Sequence, residues 1–447
     1  MKPSNGLFRL TDGKNVVMTF VLVSSLFLLW GFCNGMIDVM DKHFQTELHL
    51  TLAQSAWVQF AHYLGYFLMA LPAGWLATRL GYKGGIIVGL LMVAVGGFWF
   101  IPATKIAAFW AFLLGVCFIA AGLTFLETIA NPYTTVLGPP EYAATRINLA
   151  QSCNGIGWIF GPIAGAQFFY SKDAAGLSTG SQTLWIPYAG VAVVVVVLAA
   201  IFYFANVPDI KTKDDYHLDD ATPGASHSIW SHPHFVMAVV AQFFYVAAQS
   251  GIFSFFINYM TSQVPAIPAA WNSGALAGWF EPNKAGVLAI SDKGAATLAS
   301  LGFVFFLVGR FTGAGLLRKY SAHKILGLYG LLNVFVCLLI FLKLGWISVV
   351  CVFLSYFFMS IMFPTIFALG IHGLGVRAKK ASAYIVMAIM GGAILPKLMG
   401  AVADRYDMSR GFIVPLGCFV IVAFYGFSWS KLAKVDSLNG VKISGGH

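Results

Sequence analysis

An all-α membrane protein of twelve spanning helices in two six-helix bundles is the fold class this sequence predicts, on three observations. Apolar runs of about 20 residues recur along the 447-residue chain, the length at which a helix crosses a bilayer. The composition is 59% hydrophobic and only 10% charged, too few polar groups to cover a soluble surface. Prolines, glycines and basic turns recur at corresponding places in the two halves, as in a transporter built from repeats.

The twelve segments run roughly over 16–40, 54–78, 84–103, 106–133, 146–170, 185–206, 234–260, 296–317, 323–344, 346–370, 381–402 and 411–431. An even number places both termini on one side. Lys and Arg concentrate in the loops of that side, which predicts cytoplasmic termini in an inner (plasma) membrane. The first apolar run is too long, and lacks the small-residue pattern, for a cleaved signal. The domains expected are an N-terminal bundle over 1–206, a polar cytoplasmic linker over 207–233, and a C-terminal bundle over 234–447 ending in a short tail. A second long interval, 261–295, lies outside between the seventh and eighth segments, as a lid or as a plain surface loop.

The repeat is visible in its breaks. Pro132 with Gly138 in the fourth segment answers Pro364 with Gly370 in the tenth, and Gly157 with Pro162 in the fifth answers Gly391 with Pro396 in the eleventh. Basic turns match as well: Gly74, Arg79 and Lys83 after the second segment, Gly313, Arg318 and Lys324 after the eighth. Such prolines free backbone carbonyls, which suits a binding site and also occurs in plain kinks. Gly157, Gly161 and Gly165 form one small face, a packing seam that would also serve as a rocking surface.

The net charge of +10 is spread over short loops without a basic stripe, so nucleic acid is not an expected partner. The six cysteines sit in apolar segments without metal-like spacing and are expected to pack as small residues. No metal cluster, nucleophile–base pair or phosphate loop is present to support an enzyme, a resident cofactor or a metal.

Candidate functional residues are the polar ones at membrane depth. Glu127 is the sole charge of its run and lies just before Pro132; an acid there costs about 2.5–3.5 kcal/mol on insertion scales, so it must face protein or water. Asp38 is a second such acid, sharing a helix face with Asn34 and Asp41; Asp41, Lys42 and His43 are expected at the interface. Asn148, Gln151 and Asn154 give the fifth segment a polar face, and His62, Gln242, Gln249 and Asn258 line a cavity or bond across helices. A carboxylate on one helix with amides on the next can read hydroxyls.

The strings FLLWGFCNGMIDVMDKHF, AGWLATRLGYKGGI, GLTFLETIANPYTTVLGP, RINLAQSCNGIG, GRFTGAGLLRKYSAHK, FMSIMFPTIFALGI and AYIVMAIMGGAILPKLMGAVAD resemble the L-fucose permease branch of the major facilitator superfamily. The resemblance covers most of the chain. It implies the major facilitator fold, alternating access, and import of a hexose or deoxyhexose such as L-fucose by symport with an ion, usually H⁺. The family's helix 1 acid and helix 4 glutamate fall on Asp38 and Glu127, giving coupling to Asp38 with Glu127, and sugar contact to Glu127. Gln151 and Asn154 take the helix 5 amides, with Asn34, Asn131 and Phe363 completing the expected sugar contacts. Departures are Phe363 in place of a tyrosine, Gly35 in place of a polar residue, Asn258 in place of an arginine, and Thr78 in place of the acid usual in the superfamily. Relatives also carry glucose and galactose or N-acetylglucosamine, some with Na⁺. A drug/H⁺ antiporter is the rival suggested by GxxxGPxxG at 157–165, disfavoured by the amide-rich face beside it. The expected partners are a sugar and membrane lipid, around a monomer.

Overall fold

In the computed structural model the described residues are 8–10, 13–138, 143–170, 180–208, 229–273, 278–283, 286–317, 320–372 and 378–433. The linker between 209 and 228, the tail beyond 433 and Arg318 of the basic turn lie outside them.

The chain is helical throughout its apolar runs. In order come α1 (Val17–Glu47), α2 (Leu52–Ser55), α3 (Trp57–Ile106), α4 (Phe109–Val136), α5 (Ala143–Phe169), α6 (Gly180–Thr183), α7 (Trp185–Phe204), α8 (Pro233–Ser254) and α9 (Phe256–Gln263). There follow α10 (Asp292–Leu317), α11 (Ala322–Phe341), α12 (Trp346–Met359), α13 (Met362–Ile371), α14 (Ala378–Met387), α15 (Gly391–Arg405), α16 (Met408–Gly411) and α17 (Ile413–Ala433). Every expected segment falls on one of these helices or on a consecutive pair, and ten stretches among the described residues are long and apolar enough to span a membrane. The second and third segments form the single run α3, broken at Gly81, whose φ of +68° only glycine adopts readily.

Two compact units emerge from the packing, one built on Met1–Leu48 and Ala61–Thr212, the other on His49–Phe60 and Lys213–Lys442. In the first, α1 packs along α5 through glycines. A Cβ on Gly161 would lie 2.6 Å from the Phe32 carbonyl, one on Gly157 2.6 Å from the Phe32 nitrogen, and one on Gly165 3.2 Å from Val39. The Gly157, Gly161 and Gly165 face is therefore a seam that brings two backbones together. Two bonds fasten the last described residues before the linker: Tyr133 OH donates to the Pro208 carbonyl (2.7 Å) and Lys83 Nζ to that of Ala205 (2.9 Å).

In the second unit the described residues of the interval 261–295 carry secondary structure of their own. They form a short 3₁₀ turn (Ala269–Trp271) and an antiparallel hairpin, β1 (Phe280–Pro282) with β2 (Leu288–Ile290), Phe280 opposite Ile290. The Ile267 N–H donates to the Leu288 carbonyl, and Ser291 caps α10 through the Gly294 N–H. Asp41 and His43 are buried against protein in the first unit, where α1 continues past its apolar run to Glu47. Gln45 Nε2 donates to Asp41 there, and the His43 ring lies 5.8 Å from that of Phe169. All six cysteines are free thiols.

Candidate substrate and coupling site

Each unit holds a polar cluster at the depth of its helices. In the first, α1 supplies Trp30 and Asn34, α3 supplies His62 and Tyr66, and α4 supplies Glu127. The Trp30 indole N–H donates to Tyr66 OH at 2.6 Å, the same hydroxyl is hydrogen-bonded to Asn34, and Glu127 lies close enough for its charge to be felt at that ring. Leu26, Phe27, Trp30, Leu126 and Ala130 line a narrow crevice with Glu127, which is half-buried. The His62 ring sits 5.0 Å from Tyr66 and 5.1 Å from Tyr63.

Asp38 is buried on the same helix as Trp30, but eight residues on, which sets it about 12 Å along the axis from the level of Glu127. Asn34 stands between, one turn from each. The two acids are thus separate centres joined by one helix face. On α5, Asn154 is 5% exposed, and its amide donates to the Phe27 carbonyl of α1 at 3.3 Å. Gln151, three residues earlier, is only half-buried. Asn131 and Asn148 lie on α4 and α5 at positions whose side chains are outside those described, as is that of Thr78.

The second unit's cluster is organised by its prolines. Pro364 has no N–H to give the Ser360 carbonyl, and the helix breaks between α12 and α13. Arg310 Nε of α10 takes that carbonyl at 3.5 Å, while Tyr245 OH of α8 donates to the adjacent Met359 carbonyl at 3.0 Å. Pro396 repeats the device: it leaves the Gly392 carbonyl without its helical donor, and Ser250 Oγ supplies one at 3.2 Å while also reaching Gln59 at 3.4 Å. Phe363 is half-buried beside the break, its ring 6.4 Å from that of Tyr245. The Arg310 guanidinium lies 5.0 Å over the Phe306 ring. Gln242 is fully buried, and neither polar atom of its amide has a hydrogen-bond partner among the described residues. Asn258 is buried at the end of the same helical run.

From the sequence, Tyr66, Tyr245 and Trp30 carry no signal, being aromatics in apolar runs. Arg310 does carry one, a guanidinium inside a span, and its role becomes visible only beside the carbonyl that Pro364 frees.

Residues 16–375 match the Major Facilitator Superfamily. The chain is 33% identical over 419 residues to a glucose/galactose transporter of Brucella abortus, covering 94% of this chain and 95% of that one. It is likewise 33% identical over 440 residues to the L-fucose-proton symporter of Escherichia coli, again covering 94% and 95%. The chain belongs to this fucose/glucose/galactose branch of the Major Facilitator Superfamily. The crystal structure of a Major Facilitator Superfamily transporter, FucP, in the outward conformation overlays with a TM-score of 0.65 at 33% identity, covering 93% of this chain and 99% of that one. A D-xylose-proton symporter, 12% identical, overlays with a TM-score of 0.71 and shows the shared fold. Major facilitator proteins are transporters, not enzymes, so these clusters are read as sites of binding and coupling.

Proposed function

We propose that this protein imports a monosaccharide, a hexose or deoxyhexose, by symport with a proton, through alternating access in the inner membrane with both termini cytoplasmic. The observation that carries the reading is the setting of Glu127, a half-buried carboxyl group flanked by Trp30 and apolar side chains and close to a tyrosine hydroxyl that already accepts an indole N–H. An ionised carboxyl only accepts hydrogen bonds, whereas a protonated one both donates and accepts. Taking up a proton at Glu127 therefore changes which sugar hydroxyls it can hold, and that links the ion to the sugar.

Glu127 is chiefly the recognition residue, supported by Gln151, Asn154, Asn34 and Asn131, with Phe363 offering an aromatic face to the apolar side of a sugar ring. Asp38, one helix face away, is chiefly the coupling residue. The glycine spacing that suggested a drug antiporter packs α5 on α1, and the amide-rich face beside it favours a polar substrate. The names of the relatives, a glucose/galactose transporter and an L-fucose-proton symporter, support a monosaccharide.

The test is uptake of labelled L-fucose, D-glucose, D-galactose and N-acetylglucosamine into vesicles, with pH and Na⁺ gradients imposed separately. A pH gradient should drive accumulation of at least one of them. Asp38→Asn should still exchange sugar but lose uphill accumulation, and Glu127→Gln should weaken sugar affinity. Accumulation driven only by Na⁺ would reassign the ion; accumulation by Asp38→Asn would reassign the coupling residue.

A further inference from the structure

The ends of α11, α15 and α17 in the second unit enclose a surface groove of about 590 Å³. Its walls divide by chemistry. Phe341, Leu342, Val402 and Ile413 form an apolar half, and Lys343, Tyr406 and Arg410 a polar one. The division follows the span ends. The spans Ala322–Phe341 and Tyr384–Arg405 end here, and those of Trp346–Gly370 and Met408–Ala433 begin, so Lys343 and Tyr406 lie between spans and Arg410 in the first turn of one, while the apolar residues lie in or next to spans. Trp346, at the first position of its span, and Trp271, its ring 5.7 Å away, are both half-exposed, as aromatics are at the headgroup level.

The charge is unbalanced. Lys343 Nζ meets Asp407 at 2.7 Å and Arg410 Nε reaches the same carboxylate oxygen at 3.6 Å, so one acid answers two cations. Arg405 and Arg410 both lie over the Tyr406 ring, at 5.6 and 5.4 Å. With Asp404 counted as the second acid of this corner, three cations face two carboxylates. Lys343 also holds a φ of +57°, a conformation that costs a side chain energy, so its place is imposed by the surrounding turn.

A cationic rim at headgroup level, continuous with an apolar trough that runs down the lipid-facing ends of helices, has the shape and polarity of one lipid. We propose that this groove is a binding site for an anionic phospholipid, its phosphate held by Lys343 and Arg410 and an acyl chain laid along Leu342, Val402 and Ile413. A phosphodiester with an uncharged headgroup matches the single excess positive charge. A zwitterionic lipid brings its own cation to the rim and is disfavoured. The site is independent of the sugar and ion assignments above.

The experiment is native mass spectrometry of the full-length protein in detergent, titrated with phosphatidylglycerol, with phosphatidylcholine of the same acyl chains, and with glycerol 3-phosphate. The wild type should retain phosphatidylglycerol over phosphatidylcholine. The double variant Lys343→Gln/Arg410→Gln should lose that preference by about fivefold or more, from the attraction of basic residues to anionic lipid. Val402→Trp, which fills the apolar half and leaves the charges intact, should reduce retention of both lipids. An undiminished phosphatidylglycerol preference in the double variant overturns the proposal, as does unchanged retention in Val402→Trp, which also decides the matter if the double variant does not fold. Complete displacement of phosphatidylglycerol by glycerol 3-phosphate would mean an anion site without a lipid, and would equally overturn it.

Discussion

Asp404, at the end of α15, accepts the backbone N–H of Leu52 on one carboxylate oxygen and that of Ala53 on the other, both at 2.8 Å. These are the first two donors of α2. The next, Gln54 N–H, goes to Thr51 Oγ1 at 3.2 Å, while Gln54 Oε1 accepts from the Thr51 N–H at 2.9 Å. Ser55 N–H closes the turn on the Thr51 carbonyl. The helix start is thus fully satisfied, half of it by a residue some 350 positions away in sequence. Gly400 permits the approach, since a Cβ there would lie 2.8 Å from the Leu52 carbonyl.

Removing that carboxylate should loosen α2 from α15. Asp404→Ala leaves two N–H groups to water and should lower stability by about 1 kcal/mol, within the range for lost helix caps. Asp404→Asn keeps an acceptor oxygen but loses the charge, and should fall between. Thermal unfolding in detergent reads the difference, and an Asp404→Ala protein as stable as wild type would deny the cap its role.

Asp407 should give the unfolding curve an acid limb. Burial by itself would raise this carboxyl, but the Lys343 hydrogen bond, the Arg410 N–H and the two nearby cations outweigh it and hold it below its ordinary value of 3.8. A carboxylate lowered on folding stabilises the native state above its unfolded pKa, and the contribution fades as pH falls through the folded one. Wild type should therefore lose stability as pH falls below the ordinary carboxyl value of 3.8, and Asp407→Asn should lose less over the same descent. The pair is near the surface, so the effect is small and shrinks with added salt. Equal acid limbs in both proteins would contradict the assignment.

Much of this was legible in the sequence, because a bilayer permits so few solutions. Apolar length gave the spanning segments, and Pro364 and Pro396 marked the breaks in the tenth and eleventh of them. What the sequence hides are the partners that use those breaks. The carbonyl freed by Pro364 goes to Arg310 and that freed by Pro396 to Ser250, each on another helix, so only tertiary packing pairs them. The packing of Asp41 is hidden for a related reason: polar residues at the end of an apolar run read as solvated, yet α1 stays helical through them and the bundle buries them. The strands within 261–295 are too short to register as alternating patterns.

Gly157 is a position where one carbon should be decisive. Its Cβ would meet the Phe32 nitrogen at 2.6 Å and, closer still, the Leu28 carbonyl, both of them α1 backbone that cannot rotate aside. Gly157→Ala should cost about 1–3 kcal/mol, as overpacked cores do, and lower the yield of folded protein. Gly190, with nothing within 4 Å of its would-be Cβ, is the control: Gly190→Ala should be neutral or slightly stabilising. Fluorescence-detected size exclusion of the two variants makes the comparison, and equal behaviour would remove the seam.

The two helix 5 amides divide differently from the way their sequence motif presents them. Asn154 is already engaged, its amide donating to the Phe27 carbonyl within the α1–α5 seam. Gln151 is half-buried and so more accessible to a ligand. Asn154→Ala removes a second bond from a carbonyl already paired within α1 and should cost about 0.5–1.5 kcal/mol of stability, alongside a weaker hold on sugar. Gln151→Ala should leave stability within about 0.5 kcal/mol and weaken sugar binding about threefold to tenfold, the value of one hydrogen bond to a hydroxyl. Binding of the transported sugar by isothermal calorimetry, alongside thermal unfolding of the same preparations, separates the two effects. If Gln151→Ala binds sugar normally while Asn154→Ala unfolds normally and binds weakly, Asn154 is the contact and its bond to Phe27 is broken when sugar arrives.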